Sequence, residues 1–326
     1  MKAAHQERLV EALLLDQDEG DVISSFTREG YSKAEVSYEI ATARESPTYR
    51  AAVRVQKGQA KLRSLVDALG TQWSRSPLAT KVPVIDFADS DAFYEHYLFA
   101  NRPVVIRGLL DDWPALWKWS PEYFKEVYGD RSVEIMSGRD EDSDYELNLD
   151  AHRRNVPLRD YCAYVLSGEG NDQYLVARNN LLKRPEFADL LNDIVCPREY
   201  LKPEHIPNGN VWMGPRGTQT PLHHDHCNVL FAQIYGSKRF HLVEPHALPR
   251  VYNERAHFSA VDINDIDLLQ FPKMASVAIA EVIVNPGDTL LIPMGWFHAV
   301  QSLAASISIS FTKTAVPALP VRWIWA

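Results

Sequence analysis

Two short stretches carry the side chains best suited to chemistry: Thr220-Pro-Leu-His-His-Asp-His226 and Trp296-Phe-His298. His223 and Asp225 form a His-x-Asp pair, and His298 follows the aspartate by 73 residues (298 − 225). Two imidazoles and one carboxylate occupy one face of a divalent metal and leave the other positions open. That is the ligand set of non-haem Fe(II) oxygenases. On a strand, alternate side chains share a face, so His223 and Asp225 point one way and His224 and His226 the other. Parity alone permits both pairs, and two imidazoles would suit zinc as well as iron. The first pair is preferred because His298 completes it. Five of the 11 histidines lie between positions 223 and 246, too many for one ion. His224, His226 and His246 read as supporting or surface groups, and His241 is assigned no role.

His298 is expected at a strand-turn junction after Pro293-Met-Gly295, where Trp296 and Phe297 would dry and shape the site. Three ligands leave about three positions on an octahedral iron for a bidentate cosubstrate and dioxygen. A 2-oxo acid chelates through carboxylate and ketone, and its far carboxylate needs a cation and a hydroxyl. Lys238 and Thr220 are the candidates, although on spacing alone Lys238, just after Gly236, reads as a solvated hairpin lysine. Ser306-Ile-Ser-Ile-Ser-Phe-Thr312 alternates strictly, with hydroxyls on one face and Ile307, Ile309 and Phe311 on the other. The hydroxyl face lines a polar cavity or faces water.

These groups need elements to hold them. From Gln173 onward the chain reads mostly as short strands separated by turns: Asn210–Gly214, Val229–Tyr235, Phe240–Val243, Ala278–Val284, Leu290–Ile292 and Ser306–Thr312. Many short strands without βαβ alternation argue for a sandwich or barrel. Before them, Val84–Phe87 and Arg102–Gly108 read as strands, and Asp89–Leu98 and Val156–Leu166 as helices. A further helix opens at Ser120-Pro121, with proline in its first position. Asp140–Asp144 reads as a solvated acidic loop. Residues 1–70 read as three or four short helices. Ser32-Lys-Ala-Glu35 is a capping box, and Gly30 and Pro47 are stops. This segment packs, self-associates or recognises substrate. Residues 71–83 read as a linker and 84–326 as the catalytic domain. The aromatic C-terminus, Arg322-Trp-Ile-Trp-Ala326, is expected to dock rather than dangle.

Composition sets the outer limits. The 326 residues are 46% apolar and 24% charged, with net charge −9. That balance argues against sequence-independent nucleic-acid binding, which needs a cationic surface. Cys162, Cys196 and Cys227 show no disulfide or zinc spacing, which suits a reducing, cytoplasmic location. No run of about 18 apolar residues suggests a membrane span.

Residues from about 83 to 313 resemble the JmjC-type, cupin-like Fe(II)/2-oxoglutarate oxygenases. The likeness is greatest to the protein-hydroxylase branch that includes the asparaginyl hydroxylase acting on hypoxia-inducible factor. It rests on Arg102-Pro-Val-Val-Ile-Arg-Gly108 with Asp112-Trp-Pro114, on Gly217–Asp225, on Phe231–Arg239 and on Asn285–His298, in the family's order. The resemblance implies a mainly β double-stranded β-helix, or jelly-roll, preceded by a helical segment. It implies Fe(II) at His223, Asp225 and His298, and 2-oxoglutarate held by Lys238, Thr220 and Tyr174. The branch often carries two asparagines near the cosubstrate. Here Val229 stands at the first position, beside Asn228, and Thr312 at the second, as a further cosubstrate contact. Trp212, Trp296 and Asn228 are the candidates for the substrate pocket. The activity implied is hydroxylation of a C–H bond, with a protein or peptide side chain as target. Hydroxylation of a free amino acid or small metabolite, N-methyl demethylation, and a non-catalytic metal-binding sensor or scaffold are the alternatives. A homodimer is a further expectation.

Overall fold

The computed structural model describes residues 1–86, 90–253 and 256–315 and divides into two compact units, Met1–Leu69 and Gly70–Ala326. The expected docking of Arg322–Ala326 lies outside the described residues, as does the end of the strand expected through Phe87.

The first unit is helical. Helices α1 (Ala3–Leu14), α2 (Glu19–Arg28) and α3 (Lys33–Glu45) pool Leu9, Leu13, Val22, Phe26, Val36 and Ile40 into a small core. Asp18 caps α2 by accepting from the Gly20 and Asp21 amides. The capping box is formed: Ser32 Oγ accepts from Glu35 N at 3.2 Å and Glu35 Oε2 from Ser32 N at 2.8 Å. Helix α4 (Pro47–Ser74) corrects two expectations, since it has 28 residues rather than being short, and it runs into the expected linker. Pro47 stops α3 and also starts α4, because its missing N–H is an orphan at a helix start anyway.

The described residues of the second unit form twelve strands: β1 (Val84–Asp86), β2 (Val104–Arg107), β3 (Ser132–Met136), β4 (Arg153–Pro157), β5 (Asn210–Gly214), β6 (Gln219–His224), β7 (Val229–Tyr235), β8 (Lys238–Val243), β9 (Ala280–Val284), β10 (Thr289–Ile292), β11 (Phe297–Ser302) and β12 (Ser306–Phe311). A six-stranded sheet runs β1-β2-β10-β7-β12-β5, a four-stranded sheet runs β6-β11-β8-β9, and β3 and β4 form a separate pair. Between the two larger sheets lie Val105, Val229, Phe231, Leu290 and Ile292 from one and Phe240, Leu242 and Val284 from the other. This is the double-stranded β-helix with helices that the resemblance implies.

The alternation in β12 does double duty. Ile307, Ile309 and Phe311 pack outward with Trp113, Trp119, Phe124 and Phe187, a layer built from helices and turns. Ser306, Ser308 and Ser310 are buried on the opposite, inner face. The hydroxyls therefore line the interior rather than facing water.

Some expected bounds move. Val156 and Pro157 close β4, and the helix after them spans Leu158–Ser167. The helix expected over 89–98 is a short α-turn, Ser90–Phe93, that continues as a π-helix, Tyr94–Leu98. Residues 181–208 are largely 3-10 turns rather than strands. Residues 297–302 form a full strand where a junction was expected.

Candidate metal centre and anion cradle

The site begins with the pairing of β6 and β11. His223 and His298 are direct cross-strand partners, and their rings lie 4.2 Å apart between centroids. Asp225 follows the end of β6. Its carbonyl accepts from Gly295 N at 3.0 Å, which ties it to the turn that opens β11. Ligand atoms of His223, Asp225 and His298 all fall within 4.8 Å of one another. The structure thus brings together the three residues singled out by residue type. His298 is the second residue of β11 rather than part of a turn, so its backbone is fixed on both sides, by β6 and by β8.

Local contacts set the tautomers. His223 Nδ1 lies 2.8 Å from the Pro221 carbonyl and His298 Nδ1 lies 3.1 Å from the Trp296 carbonyl. A carbonyl only accepts, so each Nδ1 carries the proton and each Nε2 presents its lone pair. Burial, with the neighbouring His298 second, pushes the His223 imidazole down to about 4, and burial also lowers His298. Neutral imidazole is the form that binds metal. Burial alone would raise the Asp225 carboxyl, but the imidazoles of His298 and His223 outweigh it and hold it below its usual range. The Asp225 side chain stays 40% exposed, so the donor set is open on one side.

Thr220 poses a parity problem. Regular alternation would turn it away from His223. The register shifts, however: His298 faces His223 while Val300 faces Thr220, so β6 holds one more residue than β11 over this stretch. The extra residue resets the alternation and returns Thr220 to the inner face. Pro221 sits inside this bulge on an edge strand, where a strand tolerates a missing N–H.

Lys238 is fully buried. It pairs across the sheet with Ser302, on the same face of β11 as His298 and Val300. Its Nζ donates to the Tyr174 hydroxyl at 2.8 Å and lies 5.3 Å and 5.4 Å from the ring centroids of Tyr174 and Phe231. Among the described residues no carboxylate pairs with it. Burial pushes its amine down to about 7 and pushes the Tyr174 phenol up. The solvated-hairpin reading is therefore wrong. Gly236 explains the placement, because its backbone is left-handed (φ 65°) and a Cβ there would collide with the Ala305 carbonyl.

The remaining expected residues divide. Trp212 is near the cradle, with its ring 5.8 Å from Tyr174 and Nε1 donating to Ser310 Oγ at 2.9 Å. Trp296 is committed to scaffolding: Nε1 donates to the Asn101 carbonyl at 2.9 Å, and its ring meets Trp73 edge-on at 6.1 Å. Asn228 likewise accepts from Met294 N at 2.9 Å and braces the turn before β11. Thr312 is exposed, one residue beyond the end of β12. Three neighbours escaped the sequence reading. Phe258 stacks on His223 at 5.2 Å, Gln233 accepts from Ser308 Oγ at 2.9 Å inside the barrel, and Arg139 is buried against Tyr174. Gln233 was visible as the only polar residue among the apolar positions 229–234. No periodicity marks Arg139 or Phe258, because long-range pairing brings them in.

The profile of the cupin-like domain matches residues 90–312. The chain belongs to the cupin-like domain family. Among its relatives, this cupin-like chain is 30% identical over 240 residues to "Lysine-specific demethylase 8" of Xenopus tropicalis, covering 71% of the chain and 52% of that protein. It is 30% identical over 245 residues to "Jumonji C domain-containing protein 5" of Drosophila melanogaster, covering 71% and 59%. It is 28% identical over 272 residues to "Bifunctional peptidase and (3S)-lysyl hydroxylase JMJD7" of Homo sapiens, covering 72% and 84%. The match thus spans little more than half of the first two relatives and most of the third.

Proposed function

We propose that this chain is an Fe(II)- and 2-oxoglutarate-dependent dioxygenase that hydroxylates a C–H bond of a protein or peptide side chain. The observation that carries the reading is Lys238, a buried ammonium without a carboxylate partner among the described residues. It lies on the same inner faces as a two-histidine, one-carboxylate set. Burying an unpaired charge is costly, and a site that only holds metal has no use for it. A dicarboxylate that reaches from metal to ammonium accounts for both.

When bound, the iron and 2-oxoglutarate supply the oxidising chemistry: dioxygen places one oxygen atom in the C–H bond and the other in succinate, with loss of carbon dioxide. The chain's part is positional. His223 and His298 offer Nε2 lone pairs, and Asp225 supplies the carboxylate. The Lys238 ammonium, with the hydroxyls of Tyr174 and Thr220, holds the distal carboxylate. Trp212, Phe231 and Phe240 keep water from the interior.

For the target, the names of two relatives refer to lysine. A cleft beside His223 is lined by Asp144, Glu146, Tyr145, Pro221 and Phe258. Glu146 in this wall is already paired with Arg139, so the cleft offers a polar and aromatic surface beside the metal ligands. The second reading, N-methyl-lysine demethylation, draws on the name of the Xenopus relative. A peptide library incubated with Fe(II), 2-oxoglutarate and air separates the two. Mass gain of one oxygen supports hydroxylation, formaldehyde release supports demethylation, and turnover of neither rejects a peptide substrate.

Two further parts of the proposal concern the whole protein. Val55, Leu62, Leu65 and Leu69 form an exposed apolar stripe on α4, which supports a homodimer through this helix. Three free cysteines support a reducing, cytoplasmic location.

A further inference from the structure

Arg139 is 2% exposed, and its guanidinium touches both sides of the site. Nη2 donates to the carbonyl of Gln219, next to Thr220, at 2.7 Å, and to Glu146 Oε1 at 3.0 Å. Its Cζ lies 4.2 Å from the Tyr145 ring centroid and 5.2 Å from that of Tyr174, whose hydroxyl receives the Lys238 ammonium. The Gln219 amide is fixed in turn by Asn171 Oδ1 at 2.8 Å. Tyr145 and Glu146 belong to the wall of the cleft that Pro221 and Phe258 complete, and Phe258 stacks on His223.

One planar cation thus lies between the ring of the anion cradle and the wall of the substrate-side cleft. The planar, delocalised guanidinium stacks on aromatic faces and bonds in its plane at once, which a lysine cannot do. Glu146 has a side chain only 16% exposed, so removing its cation would leave a carboxylate poorly compensated. Whatever orders Tyr174 therefore orders Arg139, and through it Glu146 and Tyr145.

We propose that Arg139 is a positioning residue that couples occupancy of the Lys238–Tyr174 cradle to the order of residues 143–147. The inference rests on the 2-oxoglutarate reading above. By linkage the coupling runs both ways, so a ligand in the cleft tightens the cosubstrate by the factor with which the cosubstrate tightens it.

The test is hydrogen exchange of residues 143–147 in the full chain. Mn(II) replaces Fe(II) so that no turnover occurs, and calorimetry measures 2-oxoglutarate binding to the same samples. These amides are held locally, for example Leu147 N to the Asp144 carbonyl at 2.8 Å, so their opening is measurable. In the wild type, saturating 2-oxoglutarate should slow exchange here about tenfold. Arg139→Gln should bind 2-oxoglutarate more weakly and, once saturated, leave 143–147 unslowed, whereas Arg139→Lys should restore part of the affinity. Glu146→Gln cuts the link at its far end and serves if the Arg139 variants do not fold. It should keep wild-type affinity and lose the slowing. Full slowing in saturated Arg139→Gln or in Glu146→Gln overturns the coupling. If calorimetry detects no 2-oxoglutarate binding to the wild type, the cosubstrate reading has failed instead.

Discussion

Lys238 bears an electrostatic cost that loss of its proton or a bound anion relieves. Its amine titrates near 7 in the folded chain, against an ordinary 10.5, because burial disfavours the charge. Between those values the unfolded chain holds a proton that the folded chain lacks. Stability therefore rises with pH across this window, and the full penalty applies below about 7. Lys238→Met should raise the ligand-free protein's stability at pH 7 by about 1–3 kcal/mol in thermal denaturation, while weakening 2-oxoglutarate binding about a hundredfold. A dicarboxylate should restore the charge. Calorimetry at pH 8.5 in buffers of different ionisation enthalpy should then show net proton uptake of close to one per site. Absence of uptake would mean that the ligand does not reach the lysine. The triad residues were legible from residue type and spacing, because a metal needs particular donors. Spacing alone left Lys238 a solvated hairpin residue and only the family resemblance pointed to its cosubstrate role, since the bulk that buries it comes from Phe231 and Tyr174, and residue 174 is 64 positions away in the chain.

At the scale of elements, the bulge in β6 and the alternation of β12 are what aim the hydroxyls inward. Sequence pattern gave away β5, β7, β10 and β12 nearly to the residue, β7 and β10 as short apolar runs buried on both faces and β12 by its strict alternation of hydroxyl and apolar residues. It missed β11, since Phe297-His-Ala-Val-Gln-Ser302 mixes polar and apolar residues on both faces. It also missed the 3-10 turns of 181–208, whose apolar residues pack on the outer helical layer as strand residues would. In the helical unit, Ser32→Ala removes one half of a formed capping box and should cost about 1 kcal/mol, read as a lower unfolding midpoint. On α4, Leu62→Glu with Leu65→Glu should convert a sedimenting dimer to monomer. Because Arg50, Arg54, Lys57 and Lys61 flank the stripe, two copies should associate more tightly as salt screens their repulsion. A monomer for the wild type at every concentration and salt would remove α4 as an assembly surface.

For the molecule as a whole, metal and cosubstrate should act as folding ligands. They bind the native state, so saturation at one hundred times Kd should add about 2.7 kcal/mol to stability, and chelation should remove it. The effect should appear in the 70–326 unit, which contains every proposed ligand. Overall composition said little of this, because a net charge of −9 and an ordinary apolar fraction fit many folds. The order of motifs said more, since the relative positions of the strand pairs that carry them define the double-stranded β-helix.

The most direct test is an anaerobic visible spectrum of the protein with Fe(II), before and after 2-oxoglutarate, with Asp225→Ala and Lys238→Ala alongside. The account predicts a weak charge-transfer band that appears with 2-oxoglutarate in the wild type, is absent in Asp225→Ala, and needs about a hundredfold more ligand in Lys238→Ala. Stoichiometric iron binding with no band at any 2-oxoglutarate concentration would contradict it and leave a metal-binding protein of another kind.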